Sequence, residues 1–290
     1  MLTEREKMHG VEFARSDFVT EDSRLDLELI AEEASSDLAA TASESVPWLD
    51  VPRILKGDSI QMAFQPIVNL GSRESIGYEA LARFPEEEIV SPQGWFAAAA
   101  AQGLEEELEI LAVASALSQL DDLPAGAFVS LNVSPATAGS PSVRDLIDVE
   151  QRARVIFEIK EDAAIEDYQR FTGVIDELRA TGVRIAVDDA GLADVSLRHM
   201  LDIRPDFIKI DTDVTRGVDH DPVKQAIVMA FRSLAAQAGA LSLAEGIETE
   251  EELETLRSLN IDLGQGYLLG RPAYLDKVPK HRKRRRPSTT

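Results

Sequence analysis

Two adjacent aspartates, Asp188 and Asp189, close a short apolar run, Ile185-Ala186-Val187, that has the β-branched character of a buried strand. Like charges side by side repel, and desolvating either alone costs several kcal/mol. An aspartate here could cap a following helix, but that need takes one aspartate, not two. A divalent cation between the carboxylates is the simplest compensation. Other polar residues stand in the same relation to apolar runs. Asn132, Glu158, Asp188, Asp189, Lys209 and Glu245 each fall at or near the C-terminal end of a predicted strand. Taken singly, each has a plain structural use: Asn132 could cap a turn, Glu158 could lie on the surface, and Lys209 could pair with Asp211. Six coincident placements point instead to one shared site.

Several carboxylates and an amide, sharing an Asp-Asp corner, suit two hard cations. Two such ions can activate a water and stabilise the oxyanions of an in-line phosphoryl displacement. A nearby lysine can neutralise charge growing on phosphate. Glu245 and Glu248 exceed what one ion needs, which leaves one of them for a second ion or for the water's proton. The chain has no cysteine, and its four histidines, His9, His199, His220 and His281, are scattered. Thiolate sites and Cys nucleophiles are therefore excluded, and any metal is held mainly by oxygen, as Mg²⁺ or Mn²⁺. No Ser-His-Asp or Cys-His order, Gly-x-Gly-x-x-Gly run or P-loop is present.

The elements that must position these residues alternate regularly. Gln61 to Leu70 and Ser75 to Phe84 read as a strand hairpin turning at Gly71-Ser72, with Glu79 on its second arm. Ser91-Pro92 starts a helix, and Leu104 to Leu120 has helical periodicity. Strands then follow at Ala127–Val133, Arg154–Ile159, Arg184–Asp189, Asp206–Asp211, Leu241–Ala244 and Gln265–Leu269. Between them the pattern predicts helices at Ser142–Val149, Glu166–Ala180, Leu197–Leu201, Asp221–Ala238 and Glu250–Leu259. This βαβα order predicts an α/β fold with about eight strands, a (β/α)₈ TIM-like barrel whose C-terminal strand ends carry the site.

The bulk numbers agree with a globular protein: 290 residues, 44% hydrophobic and 28% charged. A formal net charge of −22 disfavours binding to a nucleic-acid polymer. The longest apolar run, Trp95 to Ala101, is too short to span a membrane, and the N-terminus lacks signal-peptide order, so a cytoplasmic location is expected. Residues 1–52 read as an acidic leader with one weak amphipathic helix, 53–276 as the barrel and 277–290 as a basic tail.

The motifs resemble one family, the EAL domains that act as cyclic di-GMP-specific phosphodiesterases, over about residues 53–275. The matching stretches are Phe64-Gln65-Pro66-Ile67, Tyr78-Glu79-Ala80-Leu81-Ala82-Arg83, Leu131-Asn132-Val133-Ser134, Phe157-Glu158-Ile159, Asp188-Asp189, Phe207-Ile208-Lys209-Ile210-Asp211, Ala244-Glu245-Gly246-Ile247-Glu248-Thr249 and Gly264-Gln265-Gly266-Tyr267-Leu268-Leu269-Gly270. The resemblance implies a barrel of the EAL type, its first strand antiparallel. It implies that Glu79, Asn132, Glu158 and Asp188 hold one ion and that Asp188, Asp189 and Glu245 involve a second. Lys209 would orient or activate the attacking water, with Glu245 and Glu248 completing the catalytic set. Gln65, Arg83 and Gln265 would contact the dinucleotide, Arg83 through phosphate. The implied reaction opens cyclic di-GMP to linear pGpG with two Mg²⁺ or Mn²⁺ ions.

Two departures bear on regulation, dimer coupling and turnover. Glu158-Ile159-Lys160-Glu161 stands where the family usually has Glu-Leu-Thr-Glu. Ala190-Gly191-Leu192-Ala193-Asp194-Val195-Ser196 replaces the usual Phe-Gly loop, which in the family links the metal site to the dimer interface. A homodimer, and a regulatory partner acting through residues 1–50, are the assembly expectations. The irregular loop also motivates a second reading: a weak or inactive module that holds cyclic di-GMP, or a partner protein, without cleavage.

Overall fold

The computed structural model describes residues 49–57, 60–85, 90–160, 168–190 and 203–277; the side chains of 160, 168–170, 189, 190 and 277 are outside that description. All described residues belong to the compact unit Pro47–Thr290. Most of the leader, residues 191–202 with the predicted helix Leu197–Leu201, and all but the first residue of the basic tail lie outside the described residues.

Helix α1 (Val51–Leu55) starts at Asp50, whose side chain accepts the Arg53 amide at 3.0 Å. It buries Val51 and Ile54, so the expected leader–barrel boundary at residue 52 falls inside this helix. Strands β1 (Gln61–Asn69) and β2 (Ser75–Arg83) form the hairpin, with Gln61 opposite Arg83 and Val68 opposite Ser75. The remaining strands are β3 (Phe128–Asn132), β4 (Val155–Lys160), β5 (Arg184–Ala190), β6 (Phe207–Ile210), β7 (Leu241–Ala244) and β8 (Leu263–Gly264). Strands β2 to β8 pair in parallel, and β1 closes the barrel antiparallel to both β2 and β8, as expected for the first strand.

Pro66 can sit inside β1 because β8 is only two residues long and pairs with Val68 and Asn69, leaving a local edge at 66. That edge is covered by the chain after β8: Phe64 and Ala273 exchange backbone hydrogen bonds of 2.8 and 3.1 Å.

Among the described residues the further helices outside the barrel are α2 (Pro92–Ala101), α3 (Glu105–Leu117), α4 (Pro135–Ala138), α5 (Pro141–Leu146), α6 (Tyr168–Thr181), α7 (Thr212–Thr215), α8 (Pro222–Ala238) and α9 (Glu250–Ser258). Three begin with a serine cap followed by proline, Ser91-Pro92, Ser134-Pro135 and Ser140-Pro141. The last of these starts places α5 at Pro141–Leu146, so the predicted helix Ser142–Val149 begins one residue earlier and ends at Leu146, leaving Val149 70% exposed.

The N-terminal end of the barrel is sealed. Phe128, Phe207, Ile156, Leu243 and Leu263 pack there with Ile67. The Arg184 guanidinium lies 5.0 Å from the Phe128 ring centre and 5.3 Å from that of Phe207. Polar side chains are thereby left to the opposite end.

The last strand differs from expectation. It is Leu263–Gly264, and Gln265–Leu269 turns away from it. The cause is a close backbone approach at Gly266, where a Cβ would fall 2.2 Å from Ile247 N and O. Ile247 N donates to Gln265 O at 3.1 Å, and Ile247 O accepts from Leu268 N at 3.1 Å. Gln265 is thereby fastened to the loop that carries Glu245.

Candidate active site

Lys209 is the centre of the mouth. It projects from β6 and is 2% exposed, although a buried lysine is tolerated only when paired. Its Nζ lies 2.7 Å from Glu158 Oε2 (β4), 2.9 Å from Asp188 Oδ1 (β5) and 2.7 Å from Glu245 Oε1, just past β7. Glu79 Oε2 (β2) is at 4.0 Å. Four carboxylates from four strands therefore converge on one ammonium. Parallel registration produces this convergence: Asn132 is level with Glu158, and Glu158 with Ala186, two residues before Asp188.

Amides organise the flank. Asn132 Nδ2 donates to Glu79 Oε1 at 2.9 Å, and Gln265 Nε2 donates to Glu79 Oε2 at 2.6 Å and to Gln65 Oε1 at 2.9 Å. Gln65 Nε2 in turn donates to Gly270 O at 3.1 Å. Buried Gln265 Oε1 has no hydrogen-bond partner among the described residues.

Carboxylates outnumber the ammonium, and their acidities respond. Burial raises the Glu158 carboxyl well above the ordinary value, helped by the charge of Glu79 and opposed by Lys209. Burial likewise raises Glu245 to about 7, with Lys209 opposing. Burial alone would lower the Lys209 pKa; the carboxylates, Glu158 foremost, outweigh it and raise it well above the usual value. Lys209 is thus an ammonium, able to donate hydrogen bonds but not to accept a proton.

Among the described residues no group of three or more acidic or histidine side chains is arranged as a preformed cage for an ion. The Lys209 ammonium stands between them instead. The donor set nonetheless fits Mg²⁺ or Mn²⁺: hard carboxylate and amide oxygens, an excess of negative charge, and a buried carbonyl oxygen, Gln265 Oε1, without a partner.

A cavity of about 830 Å³ opens over this cluster. Gln65, Glu79, Arg83, Asn132, Asp188, Lys209, Glu245, Glu248 and Gln265 line it. Glu158 lies beneath, against Lys209. Asp189 occupies β5, with its side chain outside the description. Glu248 is not brought into the cluster: it sits at the rim, where its Oε1 accepts from Arg216 at 2.8 Å. Arg83 lines the opposite flank and donates to Ala82 O at 2.9 Å. Asp211 caps α7 rather than pairing with Lys209, accepting from Asp213 N at 2.6 Å.

Three further residues shape the mouth. Buried Glu252 accepts from Gly217 N at 2.8 Å, Glu248 N at 2.9 Å and Thr249 N at 3.1 Å, which joins the loops after β6 and β7. Its sequence signal was the capping box Thr249-x-x-Glu252. Glu109 of α3 accepts from Ser134 N and Oγ, and burial raises its pKa. Three glutamates just before it, Glu105 to Glu107, conceal it in the sequence. Arg216 carried no signal at all.

A family model for the EAL domain matches residues 48–272. MucR of Pseudomonas aeruginosa, a bifunctional diguanylate cyclase/cyclic di-GMP phosphodiesterase, is 30% identical over 250 residues, which is 82% of this chain and 36% of MucR. The calcium/cy-diGMP complex of Klebsiella pneumoniae BlrP1 aligns at 30% identity and a TM-score of 0.66, covering 76% of this chain and 57% of that one. Its manganese/cy-diGMP complex aligns at 30% identity and a TM-score of 0.67, covering 75% and 57%. The chain spans less than half the length of the curated relatives it matches.

Proposed function

The chain belongs to the EAL domain family, and from that premise we propose that it hydrolyses cyclic di-GMP to linear pGpG with two Mg²⁺ or Mn²⁺ ions. The observation that carries this reading is Lys209, fully buried and within 2.9 Å of carboxylates from three other strands. So much like charge in one place has no structural use that one lysine satisfies. Relatives and structural neighbours with cyclic di-GMP in their names support the substrate.

Glu79, Asn132, Glu158 and Asp188 would hold one ion, and Asp188, Asp189 and Glu245 the second. When bound, the ions would supply a water of lowered pKa and neutralise phosphate charge. Lys209, as an ammonium, orients the water and faces the charge that develops on the phosphoryl oxygens. Glu245, inside the cluster and 2.7 Å from Lys209, is better placed for the water's proton than Glu248, which sits at the rim with Arg216. Water oxygen joins phosphorus, one phosphate–ribose ester bond breaks, and the freed ribose hydroxyl takes a proton. Gln65, Arg83 and Gln265 bind the dinucleotide in the 830 Å³ cavity. A homodimer and a partner docking through residues 1–50 complete the reading. Among the described residues no helix is long and apolar enough to cross a membrane.

The test is turnover in ¹⁸O-labelled water with Mg²⁺. The reading expects pGpG with one ¹⁸O on its terminal phosphate. Cyclic di-GMP recovered intact would overturn it.

A further inference from the structure

Three cations line the cavity among its described residues: Lys209, Arg83 and Arg216. Lys209 is committed to the carboxylate cluster. A cyclic dinucleotide carries two phosphodiesters, and only one can be the scissile group. The other brings a negative charge into a mouth that is already acidic, and it needs its own cation.

Arg216 is held in a manner that suits this. Lys224 Nζ donates to Asp213 O and Arg216 O, both at 2.6 Å, which clamps the backbone of the α7 turn. The next amide, Gly217 N, is fixed by Glu252 at 2.8 Å. The start of α7 packs on the Glu245 loop at Gly246 (φ +68°), where a Cβ would meet Thr212 Cγ2 at 2.4 Å. The backbone is therefore rigid beside the cluster. The side chain is 59% exposed, and among the described residues it pairs with Glu248, 44% exposed, at 2.8 Å. Exposed ion pairs contribute little to stability, so this pair can be exchanged at small cost. A phosphate accepts a guanidinium fork through two parallel bonds.

We infer that Arg216 contacts the second, non-scissile phosphate of a cyclic dinucleotide, leaving Glu248 for it when substrate enters. The assignment rests on the cyclic di-GMP reading above. It makes Arg216 a substrate-binding residue that separates two-phosphate rings from ligands with a single phosphodiester.

Calorimetric titration in calcium tests it, with cyclic di-GMP and with linear GpG, which keeps both bases but only one phosphate. Arg216→Ala should weaken cyclic di-GMP about tenfold or more and leave GpG and the melting midpoint unchanged. Arg216→Lys should recover part of the loss. In turnover, KM rises while kcat stays near that of the parent chain. Equal cyclic di-GMP affinity in Arg216→Ala, or an equal loss for both ligands, would overturn the assignment alone. Failure of the unaltered chain to bind cyclic di-GMP would overturn both it and the parent reading.

Discussion

Asn132 donates from Nδ2 to Glu79 Oε1 at 2.9 Å, tying the end of β3 to the middle of β2. The other Glu79 oxygen accepts from Gln265 at 2.6 Å, so one carboxylate is oriented from two sides by amides. Glu79→Ala removes the acceptor of both. Steady-state assays should show turnover lowered by at least about 100-fold, since even partners outside the ligand set cost 10–100-fold when removed from metal sites. The circular dichroism of the barrel should not change. A near-normal rate in this variant would remove Glu79 from the site.

Lys209 contributes in the opposite sense to charge. Lys209→Met leaves Glu158, Asp188 and Glu245 without their shared cation. Breaking a buried pair on one side costs about 3–5 kcal/mol, so the metal-free variant should melt well below the parent chain. Divalent ions should recover more stability in the variant than in the parent, because they replace the lost charge. Turnover should not return with them. Calorimetric melting with and without Mn²⁺ reads both effects.

Acidity gives a third expectation. Burial raises Glu245 to about 7 from an ordinary value of 4.5, and Glu158 moves in the same direction. Between those two values the folded chain holds a proton that the unfolded chain has released. Stability of the metal-free fold therefore falls as pH rises from 4.5 towards 7. An ion displaces that proton, so Mn²⁺ should bind with proton release and more tightly at the upper end of the window. Melting curves across the window would contradict this if metal-free stability rose instead.

Glu252 holds the rim together. Glu252→Ala strands the Gly217, Glu248 and Thr249 amides and removes half of a capping box. The cost should be at least about 2 kcal/mol by chemical denaturation. The freed loops should raise KM for the dinucleotide more than they lower kcat. A variant as stable as the parent would show that water replaces the carboxylate without loss.

Much of this was legible before the fold was known. Polar residues that close apolar runs singled out Asn132, Glu158, Asp188, Lys209 and Glu245, and the fold brings these five together because parallel strands present their C-terminal ends to one face. The last strand was expected at Gln265–Leu269 and instead occupies Leu263–Gly264, because backbone packing at Gly266, invisible to periodicity, ends it there. Glu248 looked equivalent to Glu245 in the sequence. They part because Gly246, with its positive φ, turns the chain between them, and Glu248 then meets Arg216 at the rim. Arg216 and Glu109 escaped notice for a simpler reason: their partners, Glu248 and Ser134, lie 32 and 25 residues away.

The most direct test is chromatography of cyclic di-GMP incubated with the purified chain and with Glu245→Ala, each in Mg²⁺ and again in EDTA. The account predicts pGpG from the unaltered chain in Mg²⁺ and from none of the other three reactions. Intact cyclic di-GMP after incubation of the folded, unaltered chain with Mg²⁺, and likewise with Mn²⁺, would contradict it.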